Sequence, residues 1–194
     1  MDKLVYGIGV NDADYVISGQ TVIGRDLCPY YAKWHDMLKR CYSDKYQEKQ
    51  TRYIGCTVCE DWLTFSNFRS WMKKQDWYGK EIDKDIIKIG NKIYSPENCC
   101  FVDESINSLL VSCNSKRGNY PQGVNLDKQT GKYRSQISIN GKQKSLGRYD
   151  TPEEASRVYN NAKGNHLINI ANEQDNERIK NGLLKHSKIY FDNK

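Results

Sequence analysis

Residues 120–166 read YPQGVNLDKQTGKYRSQISINGKQKSLGRYDTPEEASRVYNNAKGNH. Three short β-compatible runs, near 122–126, 132–140 and 142–148, are separated by Gln129-Thr130-Gly131-Lys132 and by Asn140-Gly141. Asn-Gly between such runs is a hairpin signal, because both residues tolerate the left-handed backbone of a tight turn. Thr151-Pro152-Glu153-Glu154 then opens a helix. Threonine caps, proline stands where its missing N–H is not needed, and glutamate follows in the first turn. Ala155, Val158, Tyr159 and Ala162 recur at helical spacing as its packing face. The stretch predicts a three-stranded antiparallel sheet packed on one helix.

Side chains alternate between the two faces of a strand. In the second run Tyr133, Ile137 and Ile139 share one face, towards the helix, and Arg134, Gln136 and Ser138 share the other. The neighbouring runs add Asn125, Lys142 or Lys144, and Arg148 to that polar face. Lys and Arg neutralise phosphates and release counterions. Arg also pairs bidentately with guanine, and Gln or Asn with adenine. The same composition equally suits a solvated sheet face.

Charge is distributed unevenly. Residues 1–115 carry 15 Lys/Arg against 16 Asp/Glu, and residues 116–194 carry 15 against 8, so the net charge of +6 lies wholly in the C-terminal part. That partition suggests a polyanion-binding module joined to a neutral one. The polar stretch SCNSKRGNY, residues 112–120, marks the boundary, giving domains over 1–115 and 116–194. A polar helix over 173–186 forms a C-terminal tail. No apolar run approaches the roughly 18 residues of a membrane span. The first residues lack a signal-peptide core, so the cytoplasm is the expected compartment.

The N-terminal part is expected to be α+β. Short strands over Val5–Val10, Tyr15–Ile17 and Thr21–Ile23 precede a helix over 30–42 that places Trp34, Met37, Leu38 and Cys41 on one face. A second helix, capped by Ser66 or Thr64, carries Phe65, Phe68 and Met72. Strand candidate Glu81–Ile87, a turn and return strand over Asn91–Tyr94, and a short helix over Ser105–Leu110 give a strand, turn, strand, helix outline. The chain has seven cysteines, and the odd number argues against a disulfide framework. Cys56 and Cys59, with Cys99 or Cys100 and Cys113, allow a four-thiolate structural zinc site; the other reading is small buried thiols.

Residues 120–166 resemble the apetala-two/ethylene-response-factor type DNA-binding domain in its phage and bacterial form. The resemblance rests on Gly123-Val124, Gly131-Lys132-Tyr133, Gln136-Ile137, Leu146-Gly147-Arg148-Tyr149-Asp150-Thr151, Glu153-Glu154-Ala155 and Tyr159. It implies a sheet that lies in the major groove of double-stranded DNA. Carried over by position, the DNA-facing residues are Asn125, Lys128, Arg134, Gln136, Ser138, Lys144 and Arg148. Plant members have Arg in place of Asn125 and Trp near Ser145, so their base preference does not transfer.

Residues 30–110 resemble phage proteins of the HNH (His-Me finger) endonuclease superfamily, whose unit is a ββα-metal fold. The carrying residues are Trp34, Met37-Leu38, Arg40-Cys41-Tyr42, Val58-Cys59-Glu60-Asp61-Trp62, Phe65, Phe68, Asp83-Lys84-Asp85, Tyr94-Ser95-Pro96-Glu97-Asn98-Cys99 and Asn107. The resemblance implies a homing-type DNA endonuclease using Mg²⁺ or another divalent metal. Asp83 and Asn107 would hold the metal, and Asn98 would position the loop that bears the base. Where active members carry His after the Asp, this chain has Lys84, and lysine, protonated near neutrality, is a poor general base. Lys84 would then contact phosphate, and the base would be His35, Asp85 or a metal-bound hydroxide. The alternative is a catalytically inactive DNA-binding protein, a regulator or an antagonist of a host system. A third reading is an inhibitor that docks on a host protein.

Overall fold

The computed structural model describes residues 4–21, 24–110 and 120–192. The chain forms two compact units, Met1–Glu104 and Ser105–Lys194. The division falls ahead of the expected 115/116 boundary, so most of the short helix after the strand pair goes with the second unit. The boundary stretch, and with it Cys113, lies outside the described residues, apart from Tyr120.

The first unit opens on a turn with isolated bridges Val5–Gly9 and Val10–Thr64 rather than a continuous strand over 5–10. A hairpin pairs β1 (Ser18–Thr21) with β2 (Gly24–Leu27). Helix α1 (Pro29–Tyr42) buries Trp34, Met37, Leu38 and Cys41, the face its spacing predicts, and a short α2 (Asp44–Lys49) follows. Strand β3 (Thr57–Val58) leads to α3 (Phe65–Met72), whose N-cap is Thr64. Phe65, Phe68 and Met72 of α3 meet Trp34, Leu38 and Trp62 in one core. Trp34 donates its indole N–H to the Trp62 carbonyl at 2.7 Å, so the largest buried side chain leaves no polar group unsatisfied.

Two features of this unit differ from expectation. The acidic strand β4 is only Glu81–Asp83, because the Asp83 side chain captures the next backbone N–H groups and turns the chain. Its antiparallel partner is β6 (Cys100–Val102), with Asp83 opposite Cys100. The expected return strand, β5 (Ile93–Tyr94), instead pairs in parallel with β3. Helix α4 (Glu104–Leu110) follows β6.

The second unit carries the sheet β7 (Val124–Asp127), β8 (Lys132–Ile139) and β9 (Lys142–Tyr149), antiparallel in that order. Helix α5 (Pro152–Asn172) covers one face through Ala155 and Tyr159, against Val124 and Ile137. Thr151 accepts the Glu154 N–H at 3.2 Å, as its N-cap position predicts. Beyond the sheet, α5 packs on α6 (Glu177–Asp192) through Leu167, Ala171, Ile179 and Leu183; α6 begins and ends later than the expected 173–186. The molecule is thus α+β with small sheets. Among the described residues no helix is long and apolar enough to cross a membrane.

Gly123 explains how α5 comes so close to the sheet. Its φ is +76°, and an added Cβ would lie 2.0 Å from the Tyr159 ring. Gly123→Ala therefore combines left-handed strain with a clash in a packed interface. The expected loss is about 2–4 kcal/mol, read as a lowered denaturation midpoint in urea. An unchanged midpoint would refute this packing account.

Candidate functional site

Residues directly opposite in a β-ladder share a face. Arg134 lies opposite both Asn125 and Arg148, Gln136 opposite Ser145, and Ser138 opposite Gln143. These seven side chains occupy the face away from α5, all exposed except the half-buried Gln136. Lys132, paired at 3.0 Å with Asp150, and Asp127 extend the face at the β7–β8 turn, where Lys128 is also exposed. Asp127 accepts from Arg148 Nε at 2.9 Å and from the Gln129 N–H at 3.1 Å. The guanidinium, then these backbone bonds, hold the Asp127 carboxyl below the usual carboxylate range. The contact aims Arg148 along the sheet through one of the guanidinium's five N–H groups.

Lys144 is displaced from its expected place. The register pairs it with Ile137, and Lys142 with Ile139, on the helix-side face. The cause is a β-bulge between Ser135–Gly147 and Gln136–Ser145, which makes Leu146 an extra residue on β9. One extra residue inverts the alternation beyond it. Gln143 and Ser145 therefore take the outward positions that even spacing from Arg148 assigns to Lys142 and Lys144. Gly147 has φ +128°, and Tyr149 Oη donates to the Leu146 carbonyl at 2.9 Å, bracing the bulge. A glycine inside a strand run was the available signal.

The Asp83-Lys84-Asp85 triplet is held by hydrogen bonds within its own loop. Asp83 Oδ1 accepts the N–H groups of Asp85 and Ile86, each at 2.7 Å. Burial, the largest effect, pushes the Asp83 carboxyl up from 3.8, against those two hydrogen bonds. Lys84 is buried, and its ammonium donates to Asp85 Oδ2 at 2.7 Å and to the Asn91 carbonyl at 2.9 Å. Asn91 returns the contact: its amide donates to the Lys84 carbonyl at 2.9 Å and to the Ile93 carbonyl at 2.7 Å. Lys84 thus closes a loop; it does not present its charge to an incoming phosphate. Asn91, read in the sequence only as the start of a turn and return strand, holds that loop. Asn98, half-buried, donates its backbone N–H to the Ser95 carbonyl at 3.2 Å in the turn before β6.

His35 is not brought to Asp83. On α1, Lys33 pairs with Glu81 of β4 at 2.8 Å, and Arg40 lies 4.0 Å from the same carboxylate. His35 follows Lys33 by two residues, about 200° round the helix. It packs beside Tyr6 and Tyr31, with ring centroids 5.0 and 6.0 Å away, and burial lowers its pKa. Asn107 sits half-buried on α4, in the second unit.

In this arrangement Asp83 Oδ1 and Asp85 Oδ2 are engaged by the protein's own backbone and by Lys84. Oxygen-ligated cations need several carboxylate or carbonyl oxygens turned towards one point. Here Asp83 Oδ1 is committed to two backbone donors, and the Asp85 carboxylate and Asn91 carbonyl converge on an ammonium. Without a metal, burial pushes the thiols of Cys56, Cys59 and Cys99 up. No family model, curated protein or solved structure matches the chain.

The Asp83 turn yields a prediction with a definite sign. A carboxyl raised in the folded state binds more protons there than in the unfolded chain. Its contribution to stability therefore falls as pH rises above about 4. Asp83→Asn keeps an oxygen acceptor for both N–H groups and removes the buried charge. Its stability at pH 7 is expected to equal or exceed that of the parent, with a flatter dependence between pH 4 and 7. Asp83→Ala should lose about 1–3 kcal/mol through the two unsatisfied N–H groups. Denaturation curves across that pH range decide it; an Asn variant as unstable as the Ala variant would dismiss the turn-forming role.

Proposed function

We propose that this protein binds double-stranded DNA by laying the outer face of β7–β9 in the major groove, and that the first unit does not cut the strand. One observation carries the reading: the register gathers Asn125, Arg134, Gln136, Ser138, Gln143, Ser145 and Arg148 on one face, most of them exposed. A two- or three-stranded ribbon fits the roughly 12 Å width of that groove. The amide side chains Asn125, Gln136 and Gln143 form the base-reading set, with Arg134 and Arg148 for guanine or phosphate. Lys128 and Lys132 at the turn are placed for flanking phosphates. The protein then acts by occupying DNA, as a regulator or as an antagonist of a host system, and any role for a host protein partner is secondary.

A second reading, the metal-dependent homing-type endonuclease, is favoured by the order β4, β6, α4, with Asp83 on the first strand. In the present arrangement backbone N–H groups engage Asp83 Oδ1, and Lys84 engages Asp85 Oδ2. The two readings share the DNA-binding sheet and part at cleavage.

Purified full-length protein should retard duplex DNA without nicking or linearising a plasmid in Mg²⁺ or Mn²⁺. Arg134→Ala should weaken duplex binding about tenfold and lower the slope of log K against log salt by about 0.9. Lys144→Ala should relax no base preference, whereas Gln143→Ala should. Metal-dependent cleavage abolished by Asp83→Ala would overturn the non-cutting reading. Arg134→Ala with parental affinity and salt slope would remove the sheet as the DNA-binding face.

A further inference from the structure

The first unit carries an exposed feature that neither its core nor the Asp83 loop uses. The segment Lys73-Lys74-Gln75-Asp76-Trp77-Tyr78-Gly79-Lys80 leaves the end of α3. The Lys80 N–H closes a tight turn on the Trp77 carbonyl at 3.0 Å, and Gly79 takes φ +71°, the geometry of a type II turn with Tyr78 at its corner. Trp77 anchors the turn: its ring lies 4.9 Å from Tyr30 at the edge of the core. Tyr78 stands on that anchor, 5.8 Å from the Trp77 ring, and is 85 % exposed. It is the most exposed large hydrophobic side chain among the described residues. Its ring gains little from such a position in a free monomer, since most of its surface meets water.

The surroundings of Tyr78 indicate what it would meet. Lys73 and Lys74 are exposed, and Lys80 pairs with Asp76, which leaves the segment positively charged. A rigid aromatic ring amid lysines matches the way proteins hold single-stranded nucleic acid. Bases stack on the ring, and lysines neutralise the flanking phosphates. A protein partner would need apolar area beyond Tyr78 itself, whereas Trp77 is half-buried as the anchor and the rest of the segment is lysine, glutamine, aspartate and glycine.

We infer that the Trp77–Lys80 turn is a second nucleic-acid contact, in which Tyr78 stacks on an unpaired base and Lys73 and Lys74 bind the adjoining phosphates. This extends the DNA-binding reading to the first unit, and uses chemistry distinct from that of the sheet. The sheet engages a duplex; the turn engages a base that is out of the helix. A protein with both would favour DNA that is locally opened or carries a single-stranded arm.

Full-length protein is titrated at low salt with labelled oligothymidine of 20 nucleotides and, separately, with a blunt duplex. The parent should bind both. Tyr78→Ser should weaken oligothymidine binding about tenfold and leave the duplex affinity unchanged, while Tyr78→Phe should behave as the parent. Lys73→Gln with Lys74→Gln should lower the salt slope on oligothymidine by about 1.4. Arg134→Ala should affect the duplex alone. An unaltered melting temperature for Tyr78→Ser checks that the fold is intact. Failure of the parent to bind oligothymidine, or equal binding by Tyr78→Ser, overturns the inference and leaves the sheet reading standing. Loss of sensitivity to Arg134→Ala on the duplex overturns the sheet reading and leaves this one standing.

Discussion

A strand has a period of two, and every functional assignment on the C-terminal sheet depends on where that period is interrupted. Between Arg148 and Ser145 the chain accommodates one residue more than its partner strand. Without the bulge, the outward positions of β9 would be Lys142, Lys144, Leu146 and Arg148. With it they are Gln143, Ser145 and Arg148, and Leu146 is half-buried. The bulge exchanges two lysines, which hold phosphate without regard to sequence, for an amide and a hydroxyl, which form directional hydrogen bonds with base edges. Gly147, opposite the fully buried Ser135, makes the exchange sterically possible. On the proposed reading, the character of the face, more reader than electrostatic clamp, would therefore follow from one residue that has no side chain.

The first unit is organised round a different constraint, a buried positive charge. An ammonium removed from water has to be surrounded by acceptors, and Lys84 finds a carboxylate, a carbonyl and the face of Tyr94, 6.0 Å from the ring centroid. Satisfying Lys84 fixes Asn91, and Asn91 in turn fixes the approach to β5. Asp83 turns the chain immediately before this loop. Within the triplet Asp83-Lys84-Asp85, Asp85 neutralises Lys84 and Asp83 serves the backbone. Removing the Asp85 carboxylate would leave the buried Lys84 ammonium without its counter-charge.

Much of the second unit could be read in advance because its signals are local. Asn140-Gly141 fixes a hairpin, Thr151-Pro152 a helix start, and the Tyr133–Ile139 alternation a buried face. Each depends only on near neighbours in the chain. The facing of Lys144 could not be read by alternation, since a bulge changes parity without changing composition. In the first unit the helices follow their periodicity, but β5 was assigned the wrong partner. Pairing of two-residue strands is decided by tertiary packing, here by Val58 and Tyr94 entering the core together. The contacts made by the candidate site residues were the least legible. A resemblance in sequence conveys which residues occupy the motif, and it does not convey the hydrogen bonds they make. Lys84 and Asn91 look like any exposed polar residues until their burial is known.

The charge partition also takes on a narrower meaning. The positive excess of residues 116–194 is real, but on the outer sheet face Asp127 offsets Arg148, and Asp150 offsets Lys132. Arg134 is the one outward cation on the strands without an ion pair among the described residues. On the proposed reading, a face built in this way would derive less of its affinity for DNA from counterion release than its composition suggests, and more from shape and directional hydrogen bonding. Lys142 and Lys144 on the helix side and the basic residues of α6 lie off that face. They raise the potential around the module, and on the proposed reading they would speed encounter with DNA, a long-range effect that needs no contact. Steering by the surround and reading by the face are then separable, because salt weakens the first far more than the second.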